Sequence, residues 1–353
     1  MSRADAVAVI LMIGITFYAV FGGADFGAGF WSLFAGGGDG GRRPRELIDW
    51  AIGPVWEANH VWLIFVLVVL WTGFSSAFEA IFSTLFVPLS LAALGVVFRG
   101  AGFAFHHTAR RARGRVLAET FFGLASILTP FFLGTVVGAI AGGRVPVGNE
   151  TGDMWTSWLN PLSLVIGALF VATGAYLASV FLVSDARRAG APDLERYFST
   201  RALVTAVVTG ALAVVGLVLL HRDARYIFDG LTGDGLPLVI LSAACGIGVL
   251  VLLRRSTRRG ARLLAVVAVA AVIAGWGVAQ WPYLLPEKLT IGDAAAPSAT
   301  LTGVLVVFGV ALLLVLPAMG LLFTLVQRNL VEESAPPPHQ TGPAGAGGSP
   351  PPR

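Results

Sequence analysis

Apolar runs long enough to cross a lipid bilayer recur nine times along this chain, at residues 6–33, 53–73, 78–98, 117–140, 161–183, 202–220, 237–253, 263–281 and 300–326. A helical crossing takes about 20 residues at about 1.5 Å each, and a helix satisfies its own backbone groups in hydrocarbon. The pattern predicts an all-α fold: a polytopic membrane helix bundle with nine transmembrane helices. Only 12% of the 353 residues are charged and 56% are hydrophobic. Soluble proteins carry about 25% charged residues, so soluble-enzyme readings are set aside.

Arginine placement predicts the orientation. With the N-terminus outside and the C-terminus cytoplasmic, 19 of the 24 basic residues fall on the cytoplasmic side, in clusters such as Arg42, Arg43 and Arg45, residues 110–115 and residues 254–262. Only Arg3, Arg144, Arg222, Arg225 and Lys288 fall outside. This is the positive-inside bias of a bacterial cytoplasmic-membrane protein, and such short clusters between spans argue against nucleic-acid binding despite a pI near 9.7. The first run lacks a basic start and a small-residue cleavage site, so it is expected to be a retained span. Residues 1–330 are expected to form one transmembrane domain, and the Pro/Gly-rich residues 331–353 a disordered cytoplasmic tail. Cys245, the one cysteine, lies inside an apolar run and reads as a small core side chain.

The second run, GPVWEANHVWLIFVLVVLWTG, opens with Trp56, Glu57, Asn59 and His60. Ionisable groups in a span are costly, and their default reading is functional. The topology puts Asp25 in the cytoplasmic half of the first span, Glu57 one turn into the second and Arg99 at the cytoplasmic end of the third. His60 follows Glu57 by three residues and shares its helical face. Two carboxylates, an arginine and an imidazole at one depth offer alternating proton acceptors and donors, which suits a proton entry path. Asp25, Glu57, His60 and Arg99 are the candidate path, with Trp56 and Asn59 in support. Two other readings stay open at this point: a charged cluster that only fixes three helices together, and a secondary transporter with a polar substrate site.

The remaining polar and aromatic groups carry weaker signals. His106 and His107 read as solvated loop residues beside the 110–115 cluster, and the five histidines form no ligand pair, so no metal or haem is expected to be ligated by this chain. Trp31, Trp50, Trp155, Trp158 and Trp281 sit near predicted boundaries, as an interfacial belt requires. Gly23 and Gly27 have the GxxxG spacing of close helix packing.

GGADFGAGFW at 22–31, GPVWEANHVWLIF at 53–65, FRGAGFAF at 98–105, TGAYL at 173–177 and WPYLLP at 281–286 follow one another in the order found in subunit II of the cytochrome bd quinol oxidases, including the cyanide-insensitive branch. The chain resembles that family over residues 5–330. The resemblance implies a heterodimer with a haem-bearing subunit I that holds two b-type haems and one d-type haem, or a b-type substitute. That complex oxidises quinol and reduces oxygen to water with cytoplasmic protons. It further implies surrounding lipid, a structural quinone in some members, and no directly catalytic residue in subunit II; a small single-span accessory subunit is left open. The family's first-span aspartate falls on Asp25, its second-span acid on Glu57 and its third-span arginine on Arg99. Many relatives carry Asp at the second position and Gln or Glu in place of His60.

Overall fold

The computed structural model describes residues 2–36, 38–52, 56–108, 112–148, 150–255 and 260–327. The chain opens with helix α1 (Arg3–Phe17), started by a reciprocal cap in which Asp5 N–H donates to the Ser2 hydroxyl (3.1 Å) and Ser2 N–H to the Asp5 carboxylate (2.8 Å). A π-helical turn, Tyr18–Gly22, leads without a break into α2 (Gly23–Leu33). Then come α3 (Gly38–Ile52), α4 (Trp56–Gly73), α5 (Ser75–Thr84), α6 (Phe86–Thr108) and α7 (Ala112–Ala141). The second half holds α8 (Pro161–Arg188), α9 (Pro192–Asp223), α10 (Arg225–Thr232), α11 (Leu236–Arg254), α12 (Ala261–Gln280) and α13 (Ser298–Gln327). Between α12 and α13 lie two short strands, β1 (Tyr283–Leu285) and β2 (Leu289–Thr290), paired antiparallel.

The result is a multi-pass membrane helix bundle. Among the described residues six helices are long and apolar enough to cross a membrane, or seven if α4 and α5, bent by 117° at Phe74, count as one span. Two shorter apolar stretches, Phe86–Gly102 and Ser298–Leu314, add to these. The third expected run, 78–98, is not one helix: the chain turns at Leu85, separating α5 from α6. Leu85 is fully buried, so the turn sits inside an apolar stretch that hydropathy reads as continuous.

Helix α2 is the inner rod, packed on α7 and α8; α6 lies on α7, α9 on α8, and α11 pairs with α12. The largest buried cluster joins α2, α3, α8, α9, α11 and α12 through side chains such as Trp31, Leu47, Leu177, Phe198, Val249 and Ala265. A second cluster joins α1 to α4, α5 and α13 around Val7, Val69, Phe74 and Leu301. The long side chains left outside, such as Val61, Ile64 and Val68 of α4 or Val204, Val207 and Val214 of α9, form an apolar outer surface.

The hairpin clasps the end of the bundle opposite the arginine-rich clusters. Lys288 Nζ donates to the carbonyls of Gly143 (2.6 Å) and Val145 (3.3 Å) just beyond α7. The Tyr226 hydroxyl of α10 donates to the Trp281 carbonyl (2.7 Å), and Ala296 N–H to Gly73 at the end of α4 (2.9 Å). This small sheet departs from a purely helical expectation.

Two further expectations are corrected. Trp31 and Trp158 do not stand in an interfacial belt: both are buried, and Trp31 Nε1 donates to the Ala175 carbonyl of α8 (2.8 Å). His106 and His107 lie on α6, which runs on to Thr108, and not in a loop; their side chains are outside the described residues. The tail from residue 328 is likewise outside them.

Candidate functional site

Arg99, midway along α6, is fully buried, and its two terminal nitrogens are held by polar partners. Its Nη2 lies 2.6 Å from Asp25 Oδ1 and 3.0 Å from the Asp25 carbonyl oxygen on α2. Its Nη1 donates to the Ser126 hydroxyl on α7, which in turn donates to the Phe122 carbonyl (2.6 Å). The guanidinium also faces the rings of Phe26 (4.8 Å) and Phe122 (4.3 Å). A charge removed from water is tolerable only when paired and hydrogen-bonded, and an arginine's flat fork suits a carboxylate at its edge and aromatic rings over its faces.

Glycine makes that fit possible. A Cβ on Gly29 would stand 2.1 Å from Ser126 Oγ and 2.9 Å from Arg99 Nη1, so only glycine leaves the guanidinium its place. Two residues earlier, a Cβ on Gly27 would stand 1.9 Å from the carbonyl oxygen of Gly174. The GGADFGAGFW and TGAYL motifs therefore meet backbone to backbone, and this contact sets how deeply α2 seats between α7 and α8.

His60, on the first turns of α4, is half-buried, and its ring packs edge-on to Phe26 with centroids 5.9 Å apart. Phe26 is thus shared between His60 and Arg99, and Tyr18 of the π turn meets the same ring at 6.4 Å. Asn59 is buried beside His60 in the chain. Trp56 and Glu57 occupy the first turn of α4, but their side chains lie outside the described residues. The structure therefore gathers Asp25, Arg99 and His60 around one phenylalanine.

Asp25 Oδ2, Tyr18 Oη and Arg99 Nε are buried without a hydrogen-bond partner among the described residues. A carboxylate tied at one oxygen and open at the other can accept and release a proton at the open atom while its anchor holds. The π turn directly before this aspartate is the kind of helix irregularity that often marks functional positions.

Sequence reasoning passed over Ser126, Phe26, Phe122 and Tyr18. Serine and phenylalanine are common in membrane helices, and only the spacing of Phe26, adjacent to Asp25, could have drawn notice. Trp62 stacks on Phe17 at 4.5 Å and serves packing within this chain. Among the described residues no group of three or more His, Cys, Asp or Glu side chains could hold a metal ion.

Comparison with known proteins agrees with this arrangement of motifs. The chain is 26% identical over 338 residues to the Escherichia coli K12 cytochrome bd-I ubiquinol oxidase subunit 2, covering 83% of this chain and 85% of that one. A Bacillus subtilis relative is 22% identical over 334 residues, covering 92% of this chain and 95% of its own. A chain in the solved structure of bd oxidase from Geobacillus thermodenitrificans superposes with a TM-score of 0.75 at 26% identity, over 93% of this chain and all of that one. The family model for cytochrome bd terminal oxidase subunit II matches residues 4–326, all but the end residues of the helical bundle, and the chain belongs to the cytochrome bd terminal oxidase subunit II family.

Proposed function

We propose that the chain works as subunit II of a bd-type quinol:oxygen oxidoreductase in the bacterial cytoplasmic membrane, holding the haem-bearing subunit I and passing protons toward it from the cytoplasmic side. The route runs over Glu57, His60 and Asp25, with Arg99 as the fixed countercharge. The partner carries the b- and d-type haems, or a b-type substitute, and the oxygen chemistry. This chain's residues hold and move protons. In this reading the helices make nine crossings, the bent α4 and the shorter α6 and α13 included, with the N-terminus outside and the arginine-rich ends cytoplasmic. Protons taken from the cytoplasm and protons released outside by quinol then separate charge without a pumping step.

The observation that carries the reading is Asp25: a buried carboxylate anchored to Arg99 by one oxygen, with its second oxygen free of partners among the described residues. The family match places that residue within a quinol oxidase subunit and displaces the transporter reading. One competing reading keeps a specific observation on its side. Arg99 is so fully enclosed by Asp25, Ser126, Phe26 and Phe122 that the pair could serve assembly alone.

One experiment separates them. Glu57→Gln and Asp25→Asn are made in the assembled complex, and haem spectrum, quinol-driven oxygen uptake and charge movement in proteoliposomes are recorded. The proton route requires normal haem content with slowed uptake. Loss of haem or of the partner before any loss of turnover supports the assembly role, and normal turnover with normal charge movement sinks the route.

A further inference from the structure

A second arginine, remote from Asp25, stands at the mouth of an apolar groove. Helix α9 has 32 residues and so runs about 48 Å, whereas the hydrocarbon core is about 30 Å thick. Its excess is the N-terminal part, which carries Asp193, Glu195 and Arg196, while residues 202–220 are apolar. Arg201 is the last charged residue before the apolar part, which sets it at headgroup level.

Its surroundings leave the charge available. The guanidinium lies over the Tyr197 ring (3.2 Å) and near Trp31 (5.6 Å), and Nη1 donates to the Tyr197 carbonyl (3.2 Å). Two neighbouring arginines at this end pair with carboxylates, Arg43 with Asp193 and Arg187 with Glu195, while Arg45 donates to the main-chain carbonyls of Ser32 and Gly36. Arg201 has no carboxylate partner among the described residues.

From Arg201 a groove of about 580 Å³ runs between α2, α7, α8 and α9. Val204, Val208 and Leu212 continue the Arg201 face of α9 down one wall, with Phe131 and Ala172 across from them. The Thr205 hydroxyl in the lining is already committed to the Arg201 carbonyl (2.8 Å). Eleven residues of helix separate Arg201 from Leu212, about 16 Å, which is half the hydrocarbon thickness and the depth of one leaflet. An unpaired guanidinium at headgroup level above an apolar slot one leaflet deep matches a single amphiphile with an anionic head.

We infer that this groove binds an anionic phospholipid, with one acyl chain between α2, α7, α8 and α9 and its phosphate on the Arg201 guanidinium. Arginine's fork matches phosphate oxygens, and a net-negative headgroup brings no ammonium of its own to compete for them. The assignment of this lipid to the cytoplasmic leaflet rests on the proposed topology. The site itself does not depend on the proton route.

The test uses the complete complex with its partner subunit, as wild type, Arg201→Gln, Arg201→Lys and Ala172→Phe, each checked for haem content. The complexes are washed free of loose lipid, titrated with phosphatidylglycerol or phosphatidylcholine in detergent, and bound lipid is counted by native mass spectrometry. Wild type is expected to retain one phosphatidylglycerol in preference to phosphatidylcholine. Arg201→Gln should weaken that binding by about ten-fold or more, the loss of one charge-assisted contact. Arg201→Lys should keep the preference at reduced affinity. Ala172→Phe, which fills the slot and leaves the arginine in place, should lose the lipid. Equal retention of both lipids overturns the proposal, as does unchanged binding in Arg201→Gln. It is equally overturned by a quinone retained one-to-one with no response to Arg201, or by dissociation of the partner subunit in Ala172→Phe, which would make the groove a subunit interface.

Discussion

Arg99 grips Asp25 by two different oxygens at once, the carboxylate Oδ1 at 2.6 Å and the same residue's main-chain carbonyl at 3.0 Å. The arginine of α6 thus fixes both a side chain and the path of α2. Removing one partner of a buried pair leaves the other charged and bare, which costs about 3–5 kcal/mol, whereas removing both leaves no orphan. Arg99→Gln alone should lower the temperature at which the purified complex loses its haem absorbance more than the double variant Asp25→Asn/Arg99→Gln does. A double variant no better than the single one would show that the guanidinium's aromatic contacts, and not the pair, carry the stability.

The Gly27–Gly174 contact leaves no room for a methyl group, and the obstacle is backbone, which cannot rotate away. Gly27→Ala should push α2 off α8 and destabilise the complex by about 1–3 kcal/mol. Gly210→Ala in α9, where nothing lies within 4 Å of the added carbon, is the control and should be tolerated. Thermal inactivation of the two variants checks the contrast.

Ser126 joins Arg99 to α7 through an uncharged hydroxyl. Ser126→Ala removes one acceptor for the guanidinium and should cost about 1–3 kcal/mol while leaving Asp25 anchored. Oxygen uptake per haem should stay near the wild-type level, since the open oxygen of Asp25 is untouched. A collapse of uptake at full haem content would bring the hydroxyl itself into the proton route.

Outside the membrane, the turn after residue 150 is built on Asp153. The main-chain N–H groups of Thr156 (2.7 Å) and Trp155 (2.9 Å), with the Thr156 hydroxyl (3.0 Å), all donate to its Oδ1 and hold its pKa below the ordinary carboxylate value. A carboxyl depressed on folding orders its turn fully above its unfolded pKa and stops doing so as pH falls through the folded one. Hydrogen exchange in residues 150–160, corrected for intrinsic rates, should therefore be slow at pH 6 and quicken only below the ordinary carboxylate range. Asp153→Ala should be fast throughout.

Much of this was legible in the sequence because lipid is an unforgiving solvent. Run length and arginine clusters set out a multi-pass bundle, and Asp25, Arg99 and His60 stood out as polar groups in apolar surroundings. What escaped notice was whatever hydropathy cannot register. The turn at Leu85 lies among equally apolar neighbours, and Ser126 looks like any membrane-helix serine. Phe26 and Phe122 are two of 23 phenylalanines, with nothing in their own identity to single them out. Trp31 sits where a belt tryptophan belongs, yet its indole N–H is spent on the Ala175 carbonyl. The hairpin was invisible because strands of three and two residues are too short for any alternation to appear.

Lys288, Trp281 and Ala296 all belong to one short stretch late in the chain, and between them they hold the far ends of α4, α7 and α10. Those contacts cannot form until the ribosome has made that stretch and it has met those helix ends on their side of the bilayer. Biogenesis is thus completed from the C-terminal side, with earlier helices waiting in the bilayer unlatched. A chain truncated before residue 281 would lack the latch altogether and offer its open face to quality-control proteases.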